Sequence, residues 1–245
     1  GNNSDASIVN ATAVNLAASS VKGNLLATAT TGDLTDSGAV TVAGTAGFTT
    51  LADDAVINLD TLAVAGKIAL TTTDSSGANS NATIVNTTAV DLNTSSVKGN
   101  LSATATTGNL IDSGTVTATG SGTFITLADN AGIDLGTLAV TGAVALTTTD
   151  SSGADSNATI VNASALTLAA STVKGNLSAT ATTGNLTDSG TVTATGSGTF
   201  VTSADDADID LGTLAVTGAI ALTTTDSAGN NSDASIVNAT AVNLA

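Results

Sequence analysis

The sequence predicts an all-β protein, a parallel β-helix (β-solenoid) in which about 13 turns of about 19 residues stack along one axis. Apolar residues alternate with polar ones at a period of two, as they do in β-strands. The whole pattern also recurs at a fixed interval of 76 residues without insertions. Long helix-favouring side chains such as Glu, Gln, Arg and Met are absent, while Thr, Val and small turn-forming residues dominate, so helix is disfavoured throughout.

The repeat is visible in the motif Val-Lys-Gly-Asn-Leu, which begins at Val21, Val97 and Val173. It divides the chain into units 21–96, 97–172 and 173–245, preceded by a partial unit 1–20, and predicts one continuous solenoid segment. Residues 1–17 and 229–245 are identical, so we expect the chain to be part of a longer array. Two further sets of residues keep the same spacing: Phe48, Phe124 and Phe200, and Asn10, Asn86, Asn162 and Asn238.

Within one unit, turn-forming residues divide residues 21–96 into four stretches of 18, 20, 22 and 16 residues, each read as one turn. Alternation inside a stretch, as in Leu25, Ala27 and Ala29, predicts short strands. A β-sandwich would not repeat without gaps at turn-sized intervals, whereas stacked turns would, with backbone hydrogen bonds running along the axis. The rod would be about 60 Å long and right-handed, following the usual chirality of strand crossovers.

The segment 190–225, GTVTATGSGTFVTSADDADIDLGTLAVTGAIALTTT, resembles the β-strand repeats of filamentous-haemagglutinin-like secreted adhesins. The resemblance is one of composition and rhythm and covers essentially the whole chain. It implies a solenoid stalk of an exported fibre, placed outside the cell or on its surface. Because the end rungs of a solenoid expose unpaired strand edges, the expected partners are another copy of the chain joined end to end or further repeats of the same chain. A cell-surface or carbohydrate ligand is the other expected partner.

Residue types missing from the chain exclude several kinds of chemistry. Without His, Cys or Glu there is no nucleophilic triad, no thiol chemistry and no ordinary zinc site, so we expect neither an enzyme nor a cofactor. The net charge of −16 disfavours binding to a nucleic-acid backbone. No apolar run of 18 residues is present, so we expect no insertion into a membrane.

The densest acidic stretch contains Asp206, Asp208 and Asp210, which would share one outward face if the chain there is extended. Calcium accepts several carboxylate oxygens and is the metal that such a face would suit. In the preceding unit the equivalent residues are Asn130, Gly132 and Asp134, so the cluster is not built into every unit. The competing interpretation is a solvated acidic face with no metal.

Three other patterns carry structural or functional hypotheses. Thr-x-Thr pairs could order water on a flat face and bind ice, but they recur once per unit rather than in each predicted turn. The phenylalanines are expected to fill one internal corner, spaced about 19 Å apart along the axis. The four repeated asparagines are expected at corners with their amides bonded to local backbone, and Asn10 and Asn86 also begin glycosylation sequons.

Three classes of function therefore stay open from the sequence. The first is a structural repeat segment of an extracellular fibre or adhesin-like surface stalk, a rigid rod without catalysis. The second is a subunit of a self-assembling filament or sheath. The third is an ice- or calcium-binding solenoid.

Overall fold

The fold is an all-β solenoid, seen in a computed structural model that describes residues 4–75, 77, 79–151, 153, 155–227, 229 and 231–245. In these residues the chain forms 28 strands and no helix. The strands of the first part of the chain are β1 (Ala6–Asn10), β2 (Val14–Leu16), β3 (Ser19–Val21), β4 (Leu25–Ala29), β5 (Leu34–Asp36), β6 (Val40–Val42), β7 (Ala46–Thr50), β8 (Ile57–Val64) and β9 (Ile68–Thr72). Those of the middle part are β10 (Ala82–Asn86), β11 (Val90–Leu92), β12 (Ser95–Val97), β13 (Leu101–Ala105), β14 (Leu110–Asp112), β15 (Val116–Ala118), β16 (Gly122–Thr126), β17 (Ile133–Val140) and β18 (Val144–Thr148). The last part has β19 (Ala158–Asn162), β20 (Leu166–Leu168), β21 (Ser171–Val173), β22 (Leu177–Ala181), β23 (Leu186–Asp188), β24 (Val192–Ala194), β25 (Gly198–Thr202), β26 (Ile209–Val216), β27 (Ile220–Thr223) and β28 (Ala234–Asn238).

The strands form two parallel sheets that the chain visits in turn. The first sheet runs β1-β4-β7-β9-β11-β14-β17-β19-β22-β25-β27, with β12 and β15 beside this path. The second sheet contains the other 15 strands, including β2, β8, β10, β18 and β26. Each strand bonds to the strand one turn earlier and one turn later, which is the axial hydrogen bonding that the sequence predicted.

The turns are longer and fewer than the sequence indicated, about 11 instead of about 13. Seven steps along the first sheet lead from β1 to β19, which is its equivalent two units later. Each 76-residue unit therefore makes three and a half turns of about 22 residues, and the rod is about 50 Å long at about 4.8 Å per turn. The expectation of four turns per unit is wrong.

A long loop and a bulge in each unit account for the lower number of turns. The nine residues 73–81 join β9 of the first sheet directly to β10 of the second, a connection about three times as long as the corner 65–67 between β8 and β9. In addition, β8 has one residue more than its partner β10 between Leu59 and Leu62, a β-bulge that recurs in β17 and β26. Extra length in a loop or a bulge lengthens the turn without adding one.

The core is a narrow column of inward side chains between the two sheets. Between the two ends of the rod, the five-residue strands alternate buried residues with more exposed ones, as in β13, so every second side chain points inward. Most of the buried residues are Leu, Ile, Val and Ala, and the largest are three phenylalanines. Because each turn packs on the next, this core continues through all units without a break.

The three phenylalanines are buried, with 1 % of Phe48 and 0 % of Phe124 and Phe200 exposed. They do not share one corner. Phe48 in β7 and Phe200 in β25 point inward from the first sheet, seven turns apart, whereas Phe124 in β16 points inward from the second sheet. The expected line of three rings spaced about 19 Å apart is therefore wrong. Each unit makes three and a half turns, so equivalent residues of successive units lie on alternate sheets.

Candidate functional site

The predicted calcium face is not assembled as the sequence suggested. The chain turns at Asp206, where φ is 59°, and β26 begins only at Ile209, so the stretch is not extended. Asp206 accepts a hydrogen bond from the Asn231 side chain at 3.3 Å. Asp208 accepts one from the backbone N–H of Asp233 at 2.9 Å. These two carboxylates thus bond to the next turn of the coil.

Asp206 has equivalents in the other units. Asp54 and Asn130 also have φ near +60°, a conformation that Asp and Asn tolerate better than most residues. Asp210 is exposed in β26. In the described part of the chain, no three His, Cys, Asp or Glu residues are grouped so that they could hold a metal ion.

The repeated asparagines have a structural role that two of them show in full. Asn86 and Asn162 are completely buried at the end of five-residue strands. The Asn162 Oδ1 accepts from the Val140 N–H at 2.9 Å, and its Nδ2 donates to the Val140 carbonyl at 2.9 Å and to the Ala165 carbonyl at 2.7 Å. The side-chain amide thereby bonds Val140 as a strand backbone would, at the position where the bulge of β17 shifts the ladder.

The same bonds recur at the other sites that have a turn before them. Asn86 bonds both the N–H and the carbonyl of Val64, and Asn238 does so with Val216. The Asn10 side chain is exposed and donates to the Ala13 carbonyl and the Thr12 hydroxyl of its own turn. Because the Asn86 amide nitrogen is buried and lies within hydrogen-bond distance of the Val64 and Ala89 carbonyls and the Thr88 hydroxyl, its sequon is not available for glycosylation in the folded rod.

A second polar device, which the sequence reasoning missed, lies at the bulge itself. The Asp112 carboxylate accepts hydrogen bonds from the backbone N–H groups of Gly136 and Thr137 at 2.9 and 2.8 Å and from the Thr137 hydroxyl. Asp36 and Asp188 do the same one unit before and one unit after. Since a bulge leaves backbone donors unpaired in the ladder, these carboxylates satisfy them. The signal in the sequence was the recurrence of Asp-Ser-Gly at 76-residue intervals.

A third device is a stack of polar side chains along one edge of the coil. The Asn81 Oδ1 accepts from the Asn100 N–H at 2.7 Å, and the Asn100 Oδ1 accepts from the N–H and the hydroxyl of Ser121 at 2.8 and 2.9 Å. The Asn157 and Asn176 side chains form the same kind of stack in the next unit. They precede β19 and β22 of the first sheet, so this stack lies on the opposite edge of the coil. Each side chain bonds the backbone of the following turn, so the edge is bonded axially as the sheets are.

The loop 73–81 is also fixed by carboxylates in its described residues. The Asp53 side chain accepts bonds from the N–H and the hydroxyl of Ser75, and Asp74 accepts from the N–H groups of Gly77 and Asn79. Many of the acidic side chains that the sequence left as a solvated exterior thus bond to neighbouring backbone at corners. Their chemistry in this arrangement is that of a hydrogen-bond acceptor.

The surface recesses of the rod are shallow and open. One of about 250 Å³ lies beside the bulge of β17 and is lined by Thr115, Gly136, Thr137, Leu138, Val161, Ala163 and Thr182. An equivalent recess of about 280 Å³ lies one unit later at Gly212. Neither lining contains an acid, a base or a nucleophile other than threonine.

The outward columns are more regular than the Thr-x-Thr spacing suggested. In the first sheet, Thr28, Thr49, Thr71, Ser96 and Thr117 lie opposite one another in five successive turns. The sequence predicted that residues 62–64 and 84–86 of intervening turns would break this column. They lie in β8 and β10 of the second sheet instead, because each unit makes three and a half turns and not four.

No helix in the described part of the chain is long and apolar enough to cross a membrane. Comparison with curated proteins and with solved structures gives no match for either. A family model, Repeats of unknown function (DUF5649), matches residues 3–71, 79–126 and 155–211, which is well over half of the chain. All three matches begin at equivalent positions, residues 3, 79 and 155, which lie 76 residues apart in keeping with the solenoid repeat. The chain therefore belongs to the family Repeats of unknown function (DUF5649).

Proposed function

We propose that this chain is a rigid structural segment of an extracellular fibre or surface stalk, adhesin-like in organisation and without catalytic activity. The observation that carries the proposal is the uninterrupted axial ladder, in which parallel strands pair through about 11 turns over one continuous core. A coil of this kind grows only in length when units are added, since each turn contacts only its neighbours. That property suits a spacer that holds other parts of a fibre apart.

The polar groups support the same role. Carboxylates such as Asp112 and buried amides such as Asn162 bond to the backbone of an adjacent turn. Side chains engaged in this way stiffen the rod and leave little freedom to act on a substrate.

The proposed partners are further units of the same kind at both ends and a cell-surface or carbohydrate ligand of the complete fibre, with no nucleic acid and no insertion into the membrane. The charge of −16 supports an exposed location in which the rods stay apart in solution. The resemblance of residues 190–225 to exported adhesin repeats points in the same direction.

The proposal is tested by measuring rod length against unit number. Chains with one to four added copies of residues 97–172 should give unbranched rods in electron micrographs, each copy adding about 17 Å, which is three and a half turns of about 4.8 Å. In the producing cells, antibody against the repeat should bind the surface of intact cells. Rods confined to the cell interior, or a particle that widens instead of lengthening, would refute the proposal. Micrometre fibres from the purified chain alone would favour the filament or sheath.

Ice binding is a second candidate, favoured by the column of Thr28, Thr49, Thr71, Ser96 and Thr117. The hydroxyls recur at the spacing of the turns, about 4.8 Å, along one face. Thermal hysteresis of the purified chain measures this activity. A freezing point equal to that of an albumin solution of the same osmolality would exclude it.

A further inference from the structure

Equivalent residues of successive units face opposite sides of the rod. Thr28 points outward from β4 in the first sheet, Thr104 from β13 in the second, and Thr180 from β22 in the first again. The pairing that surrounds them is unchanged: Ala6, Ala82 and Ala158 bond to Leu25, Leu101 and Leu177 in the same register. Each unit thus repeats the previous one after a rotation of half a turn and a shift of three and a half turns.

The half-turn also alternates the chemistry of each face. Four successive five-residue strands, β10, β13, β16 and β18, have only uncharged outward side chains: Thr83, Val85, Ser102, Thr104, Thr123, Ile125, Ala145 and Thr147. On the opposite sheet at the same level, β11, β14 and β17 carry Asp91, Asp112 and Asp134. Next along the axis the arrangement reverses, since β19, β22, β25 and β27 form the uncharged band on the first sheet while β23 and β26 carry Asp188 and Asp210 on the second.

The junction between units carries no trace of this rotation. Removal of residues 97–172 would join Ser96 to Val173, the residue type that follows it in the intact chain, and Ala82 would pair with Leu177 in place of Leu101. Every strand pairing at the new junction would keep a register that already exists in the structure. Gain or loss of one unit therefore leaves the strand pairing unchanged. It rotates the following part of the chain by half a turn about the axis relative to the preceding part.

We infer that the number of units sets the side toward which the distal part of the fibre faces, with odd changes reversing it and even changes restoring it. Adding or removing one unit also exchanges the uncharged and the acidic bands on each face of the rod after the point of insertion or deletion. A partner that contacts the rod on both sides of an added or removed unit would therefore bind rods with an odd number of units or rods with an even number, but not both. The geometric statement stands on the coil alone, and its use in a stalk rests on the proposed function.

The test uses cysteine pairs, because the chain has no cysteine of its own. The variants T28C/T104C and T28C/T180C are labelled with biotin on a short linker and saturated with monovalent streptavidin, a protein wider than the spacing of either pair. The first pair lies about 17 Å apart along the axis on opposite faces, and the second about 34 Å apart on one face. We expect two streptavidins per rod for the nearer pair and one for the more distant pair, measured by mass photometry, with T28C alone as the one-site control.

Deletion of residues 97–172 from T28C/T180C supplies the second arm. The shortened rod should bind two streptavidins where the longer rod binds one, because the sites move to opposite faces as they approach each other. One streptavidin on T28C/T104C would overturn the inference, and the intact chain gives that result even if the shortened chain does not fold. Neither arm depends on where the protein acts, so failure of the stalk proposal leaves these numbers unchanged.

Discussion

Replacement of Asn162 by alanine tests the claim that a side-chain amide completes the backbone ladder. The substitution removes the acceptor of the Val140 N–H and two donors that serve the Val140 and Ala165 carbonyls, all at a residue that is 0 % exposed. The Ser164 hydroxyl lies 3.2 and 3.3 Å from these carbonyls but has one hydrogen to donate, so the Val140 N–H and one of the two carbonyls lose a partner. A buried unsatisfied group costs about 1–3 kcal/mol, and with the small cavity we expect a loss of about 2–4 kcal/mol.

Hydrogen exchange is the appropriate assay, because a solenoid can open locally and a single unfolding free energy is then ill-defined. Amides of β17 and β19 should exchange about 30-fold to 1000-fold faster in the variant, since each 1.4 kcal/mol corresponds to a factor of ten. Asn10→Ala is the matched control, because the exposed Asn10 side chain donates within its own turn, and its loss should cost below about 1 kcal/mol.

A near-isosteric change separates hydrogen bonding from volume at the same position. Asn162→Asp keeps an acceptor for the Val140 N–H but places an oxygen where the amide donated to two carbonyls. It should therefore destabilise at neutral pH at least as much as Asn162→Ala. The reasoning would be refuted if amides near the substituted residue exchanged no faster, relative to the parent chain, in Asn162→Ala than in Asn10→Ala. It would also be refuted if Asn162→Asp left the exchange of the β17 and β19 amides unchanged.

Three further substitutions test other parts of the coil. Gly142→Ala should destabilise by about 2 kcal/mol or more, because its Cβ would lie 2.7 Å from the backbone of Gly120, whereas Gly136→Ala meets no atom within 4 Å and should change the melting temperature by about 1 °C or less. Asp112→Ala should cost about 0.5–1.5 kcal/mol, the net contribution of a hydrogen bond, because the Gly136 and Thr137 N–H groups belong to exposed residues and can bond to water instead. Asp112→Asn should be intermediate because one acceptor oxygen remains, and exchange of the Gly136 amide measures both. Phe124→Ala should cost about 3–5 kcal/mol as a fully buried ring is lost, and a melting temperature within about 1 °C of the parent would contradict its core role.

The fold class could be predicted from the sequence because its main signal is local. Alternation at Leu25, Ala27 and Ala29 fixes which side chains face inward, and all three are buried. The number of turns could not be predicted in the same way. The length of a turn depends on how many of its residues lie in loops or bulges outside the strand pairing. The residue types at 60–61 and 73–81 do not show that the first pair forms a bulge and the second stretch a long loop.

The candidate site was predictable only in part, for a related reason. The spacing of Asn86 and Asn162 indicated a repeated corner with amide bonds to backbone, but their burial and their bonds to the preceding turn depend on the bulge opposite. Asp206 looked like a member of an outward row because a strand was assumed to begin before it. The left-handed conformation at Asp54, Asn130 and Asp206 ends that row, and a turn of this kind gives little sign beyond a recurring Asp or Asn.

The differences between units show which part of the molecule is held constant. Residues 97–169 and 173–245 differ at 14 positions. Among those of the 14 positions that the structure describes in residues 97–169, only Val144 and Leu166 are buried. Both change to another aliphatic residue in the following unit. Changes of charge or polarity occur at outward or corner positions such as Ile111, Leu127 and Asn130.

This distribution follows from the mechanics of the coil. An inward residue contacts the turns on both sides, so a change in its volume disturbs three layers, and an insertion would shift the register of every later pairing. An outward residue can change without either effect. A fold that keeps its coil fixed and lets its surface vary is suited to display, and the half-turn repeat means that each variation appears on one side of the rod, with its counterpart in the next unit on the other.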